Sequence, residues 1–180
     1  MADMQHPGTD ATTPPAPGRG AVDAATVEQI VALLGRRQLA TAESCTGGRL
    51  AAAFAAAAAA SRWYRGGVVP YQEDLKRRLL GVAASSVYCE RAVAEMAVGA
   101  ARLLDADVAI ATSGVAGEPV DGTAPGTVYI ATVVDDVAGG RPWARTYRFA
   151  GEADEVCDAA VAAALRQVHE HLTGAAGGAP

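Results

Sequence analysis

The chain alternates short apolar runs with longer stretches in which apolar residues recur every three or four positions. The short runs predict five strands, at 39–44, 65–72, 107–114, 126–136 and 144–151. The longer stretches predict five helices, at 22–38, 46–60, 73–81, 90–106 and 152–172. Asp23 is a candidate N-cap for the first helix, and Gly81 is suited to end the third.

The order of these elements predicts the fold class. Helices separate the first three strands, which favours parallel pairing, whereas only a Gly/Pro segment, 137–142, separates the last two and indicates a hairpin. We therefore expect an α/β protein, a three-layer α/β/α sandwich with a mixed, roughly five-stranded sheet.

Composition divides the chain into three parts. Residues 1–21 are rich in Pro, Gly, Thr and Ala, and we expect a disordered tail because such a segment cannot bury a core. Residues 175–180 have the same character, so we expect a flexible C-terminus. The folded domain is then 22–174, which is long enough for one sizeable core.

Charge and cysteine content exclude several classes of function. A net charge of −5 argues against a broad nucleic-acid-binding surface. We find no signal peptide and no membrane-spanning run, because the apolar content is largely alanine. Three cysteines without metal-ligand spacing fit reduced thiols, and we expect a cytoplasmic protein. The three histidines lie near the termini and suggest neither a zinc site nor a histidine-based triad.

The basic residues are almost all arginine. Of 15 lysines and arginines, 14 are arginine, which leaves Lys76 as the single lysine. A lysine can lose its proton when buried and act as a base, whereas arginine stays protonated. Lys76 is therefore a candidate catalytic base, and a solvated position on a helix face is the alternative.

The first chemical candidate is the segment Ala42-Glu43-Ser44-Cys45-Thr46-Gly47-Gly48, at a strand-to-helix junction. Ser44 could be a nucleophile there, with neighbouring N–H groups stabilising an oxyanion. Alternatively, Ser44 or Thr46 simply caps the helix. Cys45 is a rival nucleophile if the helix start lowers its thiol pKa, or else a buried, inert cysteine.

Two further segments could complete such a site. Tyr71 precedes Lys76 by five residues, and its hydroxyl could relay a proton or position the lysine, or Tyr71 is only an aromatic residue at a strand end. Ser113, Gly114 and Gly117 end a buried strand, where open α/β sheets usually bind their ligands. The spacing of these glycines matches neither a dinucleotide-binding motif nor a P-loop.

Four segments in this order resemble the CinA C-terminal domain family: AESCTGG (42–48), GGVVPYQEDLKRRLLGV (66–82), EMAVGAARLLDADVAIATSGVAG (95–117) and PGTVYIA (125–131). This family includes the bacterial nicotinamide mononucleotide (NMN) deamidases. The resemblance covers about 25–172 and implies a compact α/β/α fold, usually in a homo-oligomer.

The resemblance also implies an activity and the residues for it. The family hydrolyses the carboxamide of NMN to nicotinic acid mononucleotide and ammonia, without metal or cofactor. It implies Ser44 as nucleophile, Lys76 as base after Tyr71, and Cys45 as an oxyanion-hole N–H donor. Ser113 would replace the threonine of the family's binding segment. Thr46, Gly47, Gly48, Gly114 and Gly117 would complete the substrate site.

Three residues near the expected site depart from the family pattern. Gln72 and Glu73 replace Ser-Asn after the tyrosine, and Ala153 stands where the family often has an arginine suited to the substrate phosphate. Phosphate binding would then fall to helix N-termini or to Arg145 or Arg148. The alternatives are a non-catalytic nucleotide-binding or interaction protein of the same fold and an amidase with a different substrate.

Overall fold

The computed structural model describes residues 24–135 and 140–174. Its strands are β1 (Leu39–Glu43), β2 (Tyr64–Val68), β3 (Val108–Val115), β4 (Thr127–Val134) and β5 (Trp143–Arg148). Its α-helices are α1 (Ala24–Leu34), α2 (Arg49–Ala55), α3 (Glu73–Leu80), α4 (Glu90–Leu104) and α5 (Ala153–Leu172). The expected disordered ends, the Asp23 cap and the tip of the hairpin, 136–139, lie outside the described residues.

The five strands form one mixed sheet in the order β2-β1-β3-β4-β5. β1 pairs in parallel with β2 and β3, whereas β4 is antiparallel to both β3 and β5. The predicted α/β class, mixed sheet and closing β4–β5 hairpin are therefore confirmed.

Helices cover both faces of the sheet and define two cores. The larger residues Val108, Ile110 and Ile130 pack beneath α1, α2 and α5. The opposite face carries small residues, which let α3 and α4 approach closely: Ala40, Ala42, Ala109, Ala111 and Ala131. Because side chains alternate along a strand, these two sets of residues show which helix layer every other residue of β1, β3 and β4 faces.

The alanine-rich helix is shorter than its composition predicts. We expected it to continue to about Ala60, but α2 ends at Ala55 and Ala59 has a left-handed backbone, with φ 54°. Phe54 packs edge-on against Trp63 at 6.0 Å, so the chain must turn back to bring Trp63 into the core before β2. Tertiary packing overrides the helix propensity of the alanine run.

Candidate active site

The three segments singled out in the sequence follow neighbouring strands of the sheet. Residues 44–48 follow β1, residues 71–76 follow β2, and residues 113–117 end β3. These three strands are parallel and adjacent, so their carboxyl ends lie at one edge of the sheet. This edge is where α/β sheets place their ligands.

Ser44 continues β1 by one residue on the side of α3 and α4. Its N–H donates to the carbonyl of Thr112 at 3.0 Å, which extends the parallel pairing with β3. Ala40 and Ala42 face α4, so alternation directs Ser44 to the same layer. The side chain is 5% exposed, and within the described part of the chain its Oγ has no hydrogen-bond partner.

Glu43, which the sequence analysis did not single out, faces the opposite layer and organises the turn after Ser44. Its fully buried carboxylate accepts N–H donors from Gly48, Leu50 and Ala51, at 3.0, 3.1 and 2.7 Å. Glu43 therefore satisfies the N-terminus of α2, which the capping alternative assigned to Ser44 or Thr46. The signal available in the sequence was an acid at the end of a buried strand, just before a helix.

Thr46 joins this network rather than the candidate pocket. Its hydroxyl donates to Glu43 at 2.7 Å and lies 2.7 Å from Thr112 Oγ1. Gly47 and Gly48 both have positive φ, 60° and 96°, so the turn itself requires them. Among the described residues, the backbone N–H groups of Cys45 and Thr46 have no acceptor. They are two donors at the turn that holds Ser44.

Cys45 does not have the electrostatics of a nucleophile. Burial raises the pKa of its thiol to about 12, and the neighbouring Cys157 adds to the shift. The helix start does not lower this pKa, because Glu43 already occupies the N-terminus of α2. Cys157 Sγ donates to the carbonyl of Cys45 at 3.0 Å, which ties the turn to α5. Cys45 fits the alternative of an inert thiol.

Lys76 is a buried lysine, not a solvated one. It is 2% exposed, and its Nζ donates to the carbonyl of Tyr71 at 2.8 Å. No carboxylate in the described chain forms an ion pair with it. Burial lowers the pKa of the ammonium, and the neighbouring Cys45 and Glu73 partly oppose that shift. A depressed pKa is what a lysine needs to accept a proton near neutral pH.

Tyr71 positions Lys76 through its backbone rather than its phenol. The carbonyl holds Nζ, whereas the residue as a whole is 63% exposed. Glu73, the acid that departs from the family pattern, pairs with Arg77 at 2.7 Å. Cys45, in the turn that holds Ser44, also influences the pKa of Lys76. Ser44 Oγ and Lys76 Nζ are nevertheless not hydrogen-bonded in this structure.

Ser113 lies on the same face as Ser44 but is already engaged. The register pairs Glu43 with Thr112, so the next positions bring Ser44 beside Ser113. Ser113 Oγ is fully buried and donates to the carbonyl of Val87 at 3.2 Å. Gly114 is required by packing, because a Cβ there would collide with the backbone of β4. Gly117 has open space on its Cβ side apart from Ala153.

The two arginines proposed for phosphate binding lie on β5 but point to different ends of the sheet. Arg145 lies over the ring of Trp143 and pairs with Glu170, in the last turn of α5. Arg145 shares the register position of Ile130, on the sheet face covered by α5, so the structure does not bring it to the face that Ser44 occupies. Arg148 lies at the edge that Ser44 occupies, where it donates to Thr127 Oγ1 at 2.7 Å.

Comparison with known families is consistent with this arrangement. The profile of the CinA C-terminal domain matches residues 23–172. The chain belongs to the CinA C-terminal domain family. Protein YdeJ of Escherichia coli is 37% identical to it over 164 residues, which cover 84% of this chain and 93% of that protein. A CinA-like protein of Mycobacterium tuberculosis is also 37% identical over 164 residues, but this CinA-family chain spans only 37% of its length.

Solved structures of the CinA superfamily have the same fold. A protein from Klebsiella pneumoniae matches with a TM-score of 0.77 and 36% identity, covering 84% of this chain and 98% of that one. A protein from Enterobacter cloacae gives a TM-score of 0.78 at 31% identity, covering 96% and 98%. These matches confirm the family resemblance and the mixed α/β sheet.

The described residues contain neither a membrane-spanning helix nor a cluster of metal ligands. In ranges 24–135 and 140–174, no helix is long and apolar enough to cross a membrane. Within the same ranges, no group of three or more His, Cys, Asp or Glu is placed to hold a metal ion.

Proposed function

We propose that this CinA-family domain is an amidohydrolase that converts NMN to nicotinic acid mononucleotide and ammonia. One observation carries the proposal: a buried lysine without a carboxylate partner and a buried serine whose Oγ forms no hydrogen bond within the described residues both belong to segments that follow adjacent parallel strands, at the carboxyl edge of the sheet. Burying a lysine without a charged partner lowers stability, and buried groups with shifted pKa values cluster at functional sites.

Each residue then has a separate task in acyl transfer. Ser44 Oγ attacks the carboxamide carbon while the neutral amine of Lys76 takes the hydroxyl proton. The free N–H groups of Cys45 and Thr46 stabilise the oxyanion that forms. The tetrahedral intermediate collapses, the proton passes from Lys76 to the departing nitrogen, and ammonia leaves an acyl-Ser44 ester. Water, deprotonated by Lys76, then attacks this ester, and the proton returns to Ser44 Oγ as the acid is released.

The present geometry requires a small rearrangement before the first step. Nζ is held by the carbonyl of Tyr71 and must turn, or act through a water, to reach Ser44 Oγ. Catalytic hydrogen bonds are often long or absent in unliganded sites and tighten when substrate binds. The carbonyl of Tyr71 therefore serves as a resting position that keeps the amine near the nucleophile.

Ammonia release from NMN by the purified protein tests the proposal. We expect Ser44→Ala and Lys76→Arg each to lower kcat by about 1,000-fold or more, because neither replacement can perform the proton transfer or the attack. Ser61→Ala and Arg78→Ala are the controls, since both residues are exposed and neither is assigned a role in the reaction. Full activity in both site variants would show that the assigned roles are wrong.

A second candidate is an amidase for a different carboxamide, and the observation that favours it is Ala153. This residue is exposed at the start of α5 and cannot hold a phosphate through a side chain. Release of ammonia from other amides but not from NMN would select this reading. Binding of NMN without ammonia release would instead favour a non-catalytic nucleotide-binding protein.

A further inference from the structure

The phosphate of the proposed substrate needs a cationic or N–H-rich partner, and the N-termini of α2, α3, α4 and α5 do not offer one. The N-terminus of α2 is filled by the carboxylate of Glu43. That of α5 is closed by a capping box between Glu152 and Glu155, and that of α4 by the thiol of Cys89. The first turn of α3 carries Glu73 and Asp74, which repel an anion.

The arginines closest in sequence to the nucleophile and to Lys76 are also committed elsewhere. Arg49 pairs with Asp154 at 2.7 Å and with Asp158 at 2.6 Å, so its charge is neutralised between α2 and α5. Arg77 pairs with Glu73 and also donates to the carbonyl of Ala84. Neither guanidinium can turn to a phosphate without breaking contacts that hold the fold together.

Arg148 differs from Arg49 and Arg77 in its position on the sheet and in its contacts. It pairs with Thr127 in the β4–β5 register, and its hydrogen bond to Thr127 Oγ1 holds the guanidinium over β4. Thr127 alternates with Ala131 onto the face covered by α3 and α4, which is the face of Ser44. Arg148 is exposed and forms no ion pair within the part of the chain that the structure describes.

A row of polar side chains connects this arginine to the nucleophile. Ser113 on β3 pairs with Tyr129 on β4, which in turn pairs with Thr146 on β5. These three residues form a row across the sheet, on the same face as Ser44. The pair of Thr127 and Arg148 lies two residues nearer the edge. Since neighbouring strands are about 4.8 Å apart, the guanidinium over β4 is about 10 Å from β1.

We infer that Arg148 binds the phosphate of the substrate, and this inference rests on the proposed function. With the offset of two residues along the strand, the nucleophile and the cation are about 12 Å apart, a span that an extended ribonucleotide can bridge with its carboxamide at one end and its phosphate at the other. The phosphate accepts charge-assisted hydrogen bonds from the guanidinium, with Thr127 Oγ1 as a further polar neighbour. The amide is thereby held at Ser44 by a contact made at the far end of the ribose.

The test compares NMN with nicotinamide riboside, which has the same amide and ribose but no phosphate. In Arg148→Ala we expect the ratio of kcat/KM for NMN to that for the riboside to fall about 10-fold or more, mainly through KM. Arg148→Lys should recover part of that ratio, because it restores the charge but not the bidentate geometry. Arg145→Ala is the matched control on the same strand and should leave the ratio unchanged.

Two results would overturn the inference. If Arg148→Ala lowers kcat/KM equally for both substrates, the residue supports the fold and not the phosphate; if it changes kcat/KM for neither substrate, another group binds the phosphate. If the wild-type protein releases ammonia from neither compound, the proposed function fails instead. Titration calorimetry on Ser44→Ala, with and without Arg148→Ala, then still decides whether NMN binds more tightly than the riboside through Arg148.

Discussion

At the scale of single residues, the most informative feature is the ammonium of Lys76 in the protein interior. Its pKa is lowered by burial, and the carboxylate of Glu73 opposes the shift. As a general base, Lys76 works only when neutral, so kcat/KM should rise with pH below this pKa and level off above it. The expected profile is a single acid limb with a slope of about one.

Replacing Glu73 should move the acid limb of the pH profile to lower pH. Glu73→Gln removes a negative charge that favours the ammonium, so the pKa of Lys76 falls and the limb moves to lower pH. We expect a shift on the order of 0.5 pH unit, measured from the pH profile of kcat/KM. Asp74→Asn is the matched control, since Asp74 is in the same helical turn and likewise pairs with an arginine, Arg78, but is not among the groups that shift the pKa of Lys76. A limb that stays in place in Glu73→Gln would argue against Lys76 as the titrating group.

Two residues of the site show how far single positions could be predicted. Lys76 stood out because composition left one lysine in the chain, and the prediction of a special environment holds: the residue is buried. Glu43 did not stand out, because no local pattern says that a strand-end acid turns back onto the following helix. The two alternatives for Cys45, a reactive or an inert thiol, stayed open in the sequence for the same reason, since its pKa is raised by burial, by Cys157 and by that carboxylate.

At the scale of elements, the junction of β1 and α2 depends on one buried carboxylate. Glu43 accepts three backbone N–H donors and the hydroxyl of Thr46, all within 3.1 Å. Without this carboxylate, the backbone N–H groups of Gly48, Leu50 and Ala51 at the buried start of α2 would lose their acceptor. α2 has only seven residues, so it cannot hold its own shape without this cap.

Glu43→Ala should therefore lower the free energy of unfolding by about 3 kcal/mol, measured by urea denaturation. The loss comes from buried N–H donors left without partners, and activity should fall with it because the same turn positions Ser44. Glu118→Ala, which removes an exposed acid from a loop, should change stability by less than about 0.5 kcal/mol. Similar stability losses in both variants would contradict the capping role.

At the scale of the whole molecule, α5 is tied to the sheet near its C-terminus by a polar contact that responds to pH. Near its end, His171 Nδ1 lies 2.7 Å from Thr132 Oγ1, and its ring packs edge-on against Trp143. Burial lowers the pKa of His171 below its usual value of 6.5. The folded state therefore binds a proton on this ring less readily than the unfolded chain does.

This shift predicts a dependence of stability on pH. Above about pH 6.5 the ring is neutral in both states and has no effect; below it the unfolded chain takes up the proton first, so the free energy of unfolding falls with falling pH. The slope from this one group is at most about 1.4 kcal/mol per pH unit. His171→Gln should flatten the stability curve between pH 6.5 and the lower pKa of the folded state. An unchanged curve, followed by thermal or urea unfolding, would exclude this group as the cause.

The sequence by itself determined the architecture of this CinA-family domain. Alternating periodicities gave the order of strands and helices and the closing hairpin, because burial on one or both faces leaves a periodic trace along the chain. The same local information placed the candidate chemistry at strand ends.

Only the tertiary structure decided which of those groups meet and in what electrostatic state. Several features depend on tertiary packing: the end of α2, the buried carboxylate of Glu43, and the contact of Lys76 with the carbonyl of Tyr71. The different partners of Arg145 and Arg148 depend on it as well. Burial, charge pairing and the face that a side chain occupies arise from the packed sheet, and no local pattern in the sequence records them.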